Sequence, residues 1–240
     1  MRRLGQHFLD DAGILNRIVD ALDPVPGETV LEIGPGKGSL TAALLARGLK
    51  VIAIEKDRHL AAALARDNLE VVVGDALRLD WPPVPKVVGN IPYYITSPLI
   101  DKALSPPLPE RVVFLVQAEV AERLAAAPGS KVYGALSVGV QAVCRVEKLF
   151  TVAAGSFKPP PKVRSAVVRL TPRAHPLVGQ EEIGALRTFV TACFSQRRKQ
   201  LKNAVPGLSS AQLEELGIDP TLRPERLAPE VFVRMLRSRG

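Results

Sequence analysis

The chain has 240 residues, with 47% hydrophobic and 23% charged side chains and a formal net charge of +8. That balance suits a globular protein and excludes a disordered chain or a membrane-spanning one, since no apolar run reaches bilayer length. The basic excess points to a polyanionic partner, RNA or DNA first. The start, Met1-Arg2-Arg3-Leu4-Gly5, has no apolar stretch behind its arginines and does not read as a signal peptide. Cys144 and Cys193 stand in no metal-ligand spacing and read as free buried thiols. No metal site is expected.

In chain order, Ala12 to Leu22 places Ile14, Leu15, Ile18, Val19 and Leu22 on one helical face. Thr29 to Gly34 is a short apolar run ending in glycine, a buried strand. Leu40 to Arg47 reads as helix, Val51 to Glu55 as strand, Leu60 to Ala65 as helix, and Val71 to Val73 as strand. Val87 to Val88 and Val112 to Val116 are two more strands, followed by a helix over Ala118 to Ala126. Such alternation predicts an α/β fold with a mostly parallel sheet covered on both faces. Arg145 to Val152 and Val163 to Leu170 read as strands closing the sheet, with an antiparallel strand at its edge. Beyond Thr171 the strand signal stops. Glu181 to Ala204, Ser210 to Gly217 and Pro229 to Arg237 read as helices, with Ser209 or Ser210 as a cap. The chain therefore divides into an α/β domain, 1–172, and a small all-helical domain, 173–240.

Glu32-Ile33-Gly34-Pro35-Gly36-Lys37-Gly38-Ser39 lies between a strand and a helix. Gly34 and Gly36 let the backbone turn tightly and approach a ligand closely, at the strand end where open α/β sheets bind nucleotides. The spacing departs from the dinucleotide fingerprint, because Ser39 stands where a third glycine belongs, so a nicotinamide-dependent oxidoreductase is disfavoured. The next strand ends in Glu55, whose carboxylate can accept from both hydroxyls of a ribose. The third ends in Gly74-Asp75-Ala76, where Asp75 can accept from an adenine amino group and apolar neighbours such as Ala76 can hold the ring. Polar groups at three successive strand ends indicate a nucleoside-containing cofactor.

The fourth strand ends in Asn90-Ile91-Pro92-Tyr93. An adenine amino nitrogen is a weak nucleophile because its lone pair is delocalised into the ring. Fixed acceptors, here the Asn90 side chain and the Ile91 main-chain carbonyl, favour a pyramidal nitrogen and aim its lone pair at an electrophilic methyl. Pro92 restrains the backbone, and Tyr93 supplies a ring on which an extruded base can stack. Phe157, ahead of three prolines, is the candidate for the other face of that base. Lys158, Lys162 and Arg164 flank it and can reach phosphates.

These segments resemble the ribosomal RNA adenine dimethyltransferases along nearly the whole chain. The resemblance rests on Leu4-Gly5-Gln6-His7-Phe8-Leu9, the Glu32 to Gly38 loop, Glu55-Lys56-Asp57, Gly74-Asp75-Ala76 and Asn90-Ile91-Pro92-Tyr93. It continues through Val116 to Arg123, the Phe157 loop, Gln196-Arg197-Arg198-Lys199 and Arg223-Pro224-Glu225-Arg226-Leu227. It implies a Rossmann-like class I methyltransferase domain that binds S-adenosyl-L-methionine and releases S-adenosyl-L-homocysteine. His7 and Leu9 are then expected over the cofactor, Gly34 at its methionine end, Glu55 at the ribose and Asp75 at the adenine, with Asn90 at the junction with the target base; Gly36, Lys56 and Ala76 are further cofactor-binding candidates. The implied product is a pair of adjacent dimethyladenosines in a hairpin loop near the 3′ end of 16S RNA. The implied partner is an immature 30S particle, met by a cytoplasmic monomer with no membrane attachment. Arg197, Arg198, Lys199 and Lys202, on a predicted helix, would meet RNA phosphate. Three departures stand out: a short leader before Gly5, His7 where some members have Asn, and Tyr94 after Tyr93 where Asn or His is common. The competing readings are a large-subunit adenine methyltransferase of the macrolide-resistance type and a non-catalytic assembly or transcription factor on the same fold.

Overall fold

The computed structural model describes residues 7–239; the Leu4-Gly5-Gln6 part of the first motif and the leader before it lie outside the described residues. Seven strands form the main sheet: β2 (Thr29–Ile33), β3 (Lys50–Glu55), β4 (Leu69–Val73), β5 (Lys86–Asn90), β6 (Arg111–Gln117), β7 (Cys144–Val152) and β9 (Ser165–Pro172). Two short strands, β1 (Phe8–Leu9) and β8 (Phe157–Lys158), make a separate antiparallel pair, with Phe8 opposite Lys158 and Leu9 opposite Phe157. The helices are α1 (Ala12–Ala21), α2 (Ser39–Ala46), α3 (Arg58–Ala62), α4 (Thr96–Ala103), α5 (Ala118–Leu124), α6 (Ala135–Gln141), α7 (Ile183–Ser195), α8 (Leu201–Ala204), α9 (Ser210–Glu215) and α10 (Pro229–Arg237).

The sheet runs in the order β4-β3-β2-β5-β6-β9-β7. From β4 to β6 every pairing is parallel, and β9 runs antiparallel to β6. Sequence order reverses between β2 and β5, and the crevice past the carboxyl ends of such a pair is where doubly wound sheets bind ligands. Strand pleating explains why polar groups collect there. Val30, Val51, Ala53 and Val88 face one apolar cluster with Leu15, Ile18 and Val19 of α1 and Leu40 and Leu44 of α2. With a period of two, that same face ends in Glu32, Glu55 and Asn90. Ile54 and Gly89 both pair with Ile33, so Glu55 and Asn90 stand one step further on, to either side of Gly34.

The strands are near-continuous runs of Val, Ile and Leu, as a sheet covered on both faces requires. Helix α1 starts where Asp11 accepts from the Ile14 N–H, and α3 where Asp57 accepts from His59 and Leu60. No helix among the described residues is long and apolar enough to cross a membrane.

The chain forms two compact units. One runs to Ala121 and resumes over Glu147–Pro172; the other comprises Glu122–Val146 and the chain from Arg173 onward. The second unit thus takes residues 122–146, which the sequence reading placed in the first domain. Helix α6 within that segment is only seven residues long and carries Gly139 and two valines, which lower its helix propensity. It is held by tertiary bonds: Ser137 Oγ donates to Arg123 O, and Gln141 Nε2 donates to Leu124 O and Ala126 O at 2.8 Å each. The predicted helix over Glu181 to Ala204 is also corrected. It breaks after Ser195, and Arg197, Arg198 and Lys199 lie in the turn between α7 and α8. Adjacent cations repel one another, and the Leu201 and Lys202 N–H groups donate to Leu222 O and Pro220 O instead of to the preceding turn. Ser209 does cap α9, in a reciprocal pair with Gln212.

Candidate active site

The glycine loop joins β2 to α2. Gly34, Gly36 and Gly38 all adopt positive φ, at +67°, +57° and +81°. A Cβ on Gly36 would also lie 2.8 Å from Phe8 Cε1, so a side chain is excluded there twice over. The loop borders a cavity that His7, Leu9, Glu55, Asp75, Asn90 and Tyr93 also line. Every residue lining this cavity belongs to the first unit.

Glu55 is 4% exposed, and its two oxygens each accept a backbone bond, Oε1 from Asp57 N at 2.9 Å and Oε2 from Gly36 N at 3.0 Å. Each carboxylate oxygen keeps a second lone pair, so the group is fixed in place and still able to accept. Asp75 accepts from Leu77 N at 3.0 Å and pairs with Lys56 Nζ at 2.9 Å. The bond to Lys56 holds the Asp75 carboxyl below the usual carboxylate range and raises the lysine in turn. Lys56, a cofactor-binding candidate in the sequence, is therefore committed first to Asp75. The Ala76 carbonyl accepts from Trp81 Nε1 at 2.8 Å, and Leu77 O from Lys102 Nζ at 3.3 Å, which pins the loop that carries Asp75.

Glu32, quoted in the motif but given no role by the sequence, is 1% exposed and lines the same cavity. Thr41 Oγ1 donates to it at 2.6 Å. Burial pushes its carboxyl up to about 7, against the lowering effect of that bond, and the Glu55 charge adds to the rise.

Asn90 ends β5, and its Nδ2 donates to the His7 carbonyl at 2.9 Å. Committing the nitrogen as donor leaves Oδ1 as the acceptor end of the amide. Gly89 permits the close approach behind it, since a Cβ there would stand 2.6 Å from Ile33 O. Ile91 N donates to Leu115 O at 3.0 Å, which carries the strand pairing one residue past β5, and its side chain is buried. Pro92, at φ −57° and ψ 130°, opens a single 3-10 turn over Tyr93–Ile95. The half-buried Tyr93 hydroxyl lies 2.6 Å from Ser165 Oγ, and burial raises its pKa. Its ring stacks with His7 at a centroid distance of 6.0 Å and an interplanar angle of 29°. His7 Nδ1 meets the Pro159 carbonyl at 2.8 Å, which requires the proton on Nδ1. Ser165 and the His7–Tyr93 stack escaped the sequence reading, because partners 72 and 86 residues away leave no local signal. Tyr94 stands at the cavity with 63% of its surface exposed.

Phe157 requires a correction. It is 2% exposed and belongs to the apolar cluster with Leu9, Leu15, Leu115 and Val167, outside the cavity lining. Alternation along β8 turns Phe157 inward and Lys158 outward. Its ring supports the wall on which Leu9 sits, while the ring facing Tyr93 is that of His7. Lys158 is exposed and pairs with Asp10 at 2.6 Å; Lys162 and Arg164 are exposed beside it. In the second unit Arg197, Arg198, Lys199 and Lys202 are all exposed. Cys144 and Cys193 are free and buried, and burial pushes both thiols up to about 12, which makes them inert. Among the described residues no three His, Cys, Asp or Glu side chains gather to hold a metal.

Comparison with known proteins agrees with this geometry. The family model described as ribosomal RNA adenine dimethylase matches residues 1–238. The ribosomal RNA small subunit methyltransferase A of Nitrosococcus oceani is 46% identical, over 98% of this chain and 94% of that protein. The protein of the same name from Pseudomonas aeruginosa is 44% identical, over 98% and 92%. Among solved structures, a dimethyladenosine transferase from Plasmodium falciparum superposes with a TM-score of 0.82 at 31% identity, covering 97% of each chain. The 23S rRNA methyltransferase ErmE gives 0.73 at 31% identity, over 96% and 98%. A strand order that reverses between β2 and β5, a glycine cradle at that point and a match along almost the whole sequence lead to one conclusion: the chain belongs to the ribosomal RNA adenine dimethylase family, methyltransferases of the Rossmann-like class I fold.

Proposed function

We propose that this protein transfers methyl groups to N6 of two adjacent adenosines in the hairpin loop near the 3′ end of small-subunit ribosomal RNA. The substrate is an immature 30S particle, and the enzyme acts as a cytoplasmic monomer. The observation that carries the reading is one cavity that joins a nucleoside-binding set, the Gly34–Gly38 loop with Glu55 and Asp75, to the Asn90–Tyr93 turn.

The residues fit S-adenosyl-L-methionine. The positive-φ glycines form a cradle that side chains would fill, Glu55 is fixed by two backbone donors with lone pairs to spare, and Asp75 is held ionised as an acceptor. Gly34 and Gly36 would take the methionine end, Glu55 the ribose, and Asp75 with Ala76 the adenine. His7 and Leu9, paired to β8, would cover it. When bound, the cofactor supplies an electrophilic methyl group.

The chain's own contribution is positioning. Asn90 Oδ1 and the Ile91 carbonyl accept the two N–H groups of the target amine and draw its lone pair out of conjugation. Tyr93, fixed by Ser165, offers a face for the extruded purine. No general base is needed before attack, because the neutral amine carries the attacking pair. Once the new N–C bond forms, the nitrogen is strongly acidic and its proton passes along these acceptors to water. Lys158, Lys162 and Arg164 on the first unit and the cations after α7 on the second would bind RNA phosphate.

The small-subunit assignment rests on the names of the curated relatives, at 42–46% identity. The likeness to ErmE makes the large subunit the comparison to run. The test is incubation of the protein with labelled S-adenosylmethionine and with unmodified small and large subunits separately, followed by nucleoside mass spectrometry. Dimethyladenosine is expected from the small subunit alone; equal transfer to both contradicts the assignment.

A further inference from the structure

The loop between α5 and α6 is fixed at three points by other parts of the second unit. Gly129 adopts φ +88° and its N–H donates to Glu225 O at 2.6 Å. Arg197 Nη2 donates to Lys131 O at 2.6 Å. Tyr133 is fully buried, its hydroxyl donates to Leu227 O at 2.9 Å, and its ring meets Phe194 edge-on at 6.1 Å. Between these clamps Lys131 and Val132 remain exposed, Val132 at 41%. A turn with an exposed tip is ordinarily mobile. Here two segments distant in sequence, 194–197 and 225–227, hold the turn while its cation faces solvent.

The clamps also gather charge. Arg197 brings with it Arg198 and Lys199, and the 225–227 segment brings Arg226, whose Nη1 would stand 3.3 Å from a Cβ on Gly129. Arg198, Lys199 and Arg226 are exposed. Three stretches far apart in sequence thus converge on one basic surface. Only one of them, the Arg197–Lys199 run, is visible as a charge cluster in the sequence.

We infer that the Gly129–Val132 turn, with Lys131 at its tip and Arg226 beside it, is a preformed contact for the sugar-phosphate backbone of the substrate RNA, and that Arg197 acts in it mainly as the positioning residue. Arg197 spends one of its five N–H donors on Lys131 O, so it holds the turn and still presents cationic surface. A rigid turn loses little conformational freedom on binding, which favours a fixed phosphate contact over a diffuse attraction. The exposed side chains at the turn, Lys131, Arg198, Lys199 and Arg226, are cationic, while a carboxylate oxygen of the neighbouring Glu225 is buried, so the surface offered to a polyanion fits phosphate. The inference rests on the proposed function, because it takes small-subunit RNA as the ligand.

The experiment measures methyl transfer to unmodified small subunits over a range of KCl concentrations for the wild type, Lys131→Ala, Lys131→Glu, Arg226→Ala, Arg197→Ala, Arg198→Ala, Lys199→Ala and the double variant Lys131→Ala/Arg197→Ala. Affinity for S-adenosylhomocysteine is measured in parallel as a control for folding. Lys131→Ala should raise KM for the subunit several-fold with kcat unchanged and lower the log–log salt slope by about 0.7–0.9, the value of one lost phosphate contact. Lys131→Glu should exceed it. Arg197→Ala should lower the slope by more than one contact, since it frees the turn as well, whereas combined with Lys131→Ala it should add less than its separate effect. Wild-type KM and salt slope in Lys131→Ala would overturn the inference. If the wild type transfers no methyl to small subunits, the proposed function fails; if it does and only Arg198→Ala or Lys199→Ala shifts the slope, the function stands and this inference falls.

Discussion

The cofactor-side cavity and the basic surface of the second unit make opposite use of charge. In the cavity the three carboxylates are tied: Glu55 by two N–H donors, Asp75 by Lys56, Glu32 by Thr41. On the second unit Arg198, Lys199 and Lys202 stand exposed, and order comes from the backbone beneath them. The first arrangement suits a small ligand that must be placed to a fraction of an ångström. The second suits a long polyanion recognised by summed, salt-screened contacts.

Several substitutions would break that contrast. The largest effect is expected from Phe157→Ala. With the ring in the core, truncation should cost about 3–5 kcal/mol of stability, read as a fall in the urea midpoint. Phe157→Leu should keep much of that stability and a near-normal KM for the subunit; a large KM increase in a well-folded Phe157→Leu would return the ring to the substrate. Gly36→Ala should follow, since the left-handed conformation costs an L-residue about 1–2 kcal/mol before the contact with Phe8 is counted. Calorimetry should find S-adenosylhomocysteine bound roughly tenfold or more weakly, and unchanged affinity would contradict the cradle.

A smaller effect concerns pH. Glu32 titrates near 7 in the folded protein, above its ordinary 4.5. The folded state therefore favours the protonated form. This contribution to stability is fully present below about 4.5 and is lost as pH rises through 7. Glu32→Gln should flatten the fall in the thermal midpoint over that window, and an unaltered slope would show that another group controls it. Glu182 behaves in the opposite sense. Its carboxyl is held down to about 2, first by Arg237 and then by the Gly179 N–H, so its contribution is present above about 4.5 and is lost as pH falls through 2.

What was legible in the sequence follows the same division. The glycine loop, Glu55, Asp75 and Asn90 were readable because each ends a Val- and Ile-rich strand, and strand ends at a switch point gather to one place. The β1–β8 pair was not, since two-residue strands carry no periodicity. Phe157 was misread for a related reason: a ring ahead of three prolines looks exposed, and only its pairing with Leu9 turns it inward. Arg197 to Lys199 were legible as charge but not as a turn, because the N–H groups that open α8 are taken by the distant Leu222 and Pro220 carbonyls. Helix α6 went unseen because its sequence is a poor helix former, stabilised by Arg123, Leu124 and Ala126.

The central claim is that fixed carbonyls after β5 hold the target amine, and Asn90→Ala tests it most directly. Single-turnover methylation of unmodified small subunits should slow by about 10²–10³, the usual loss when one preorganised polar partner is removed, while S-adenosylhomocysteine still binds within a few-fold of wild type. Turnover close to normal in the folded variant would contradict the account.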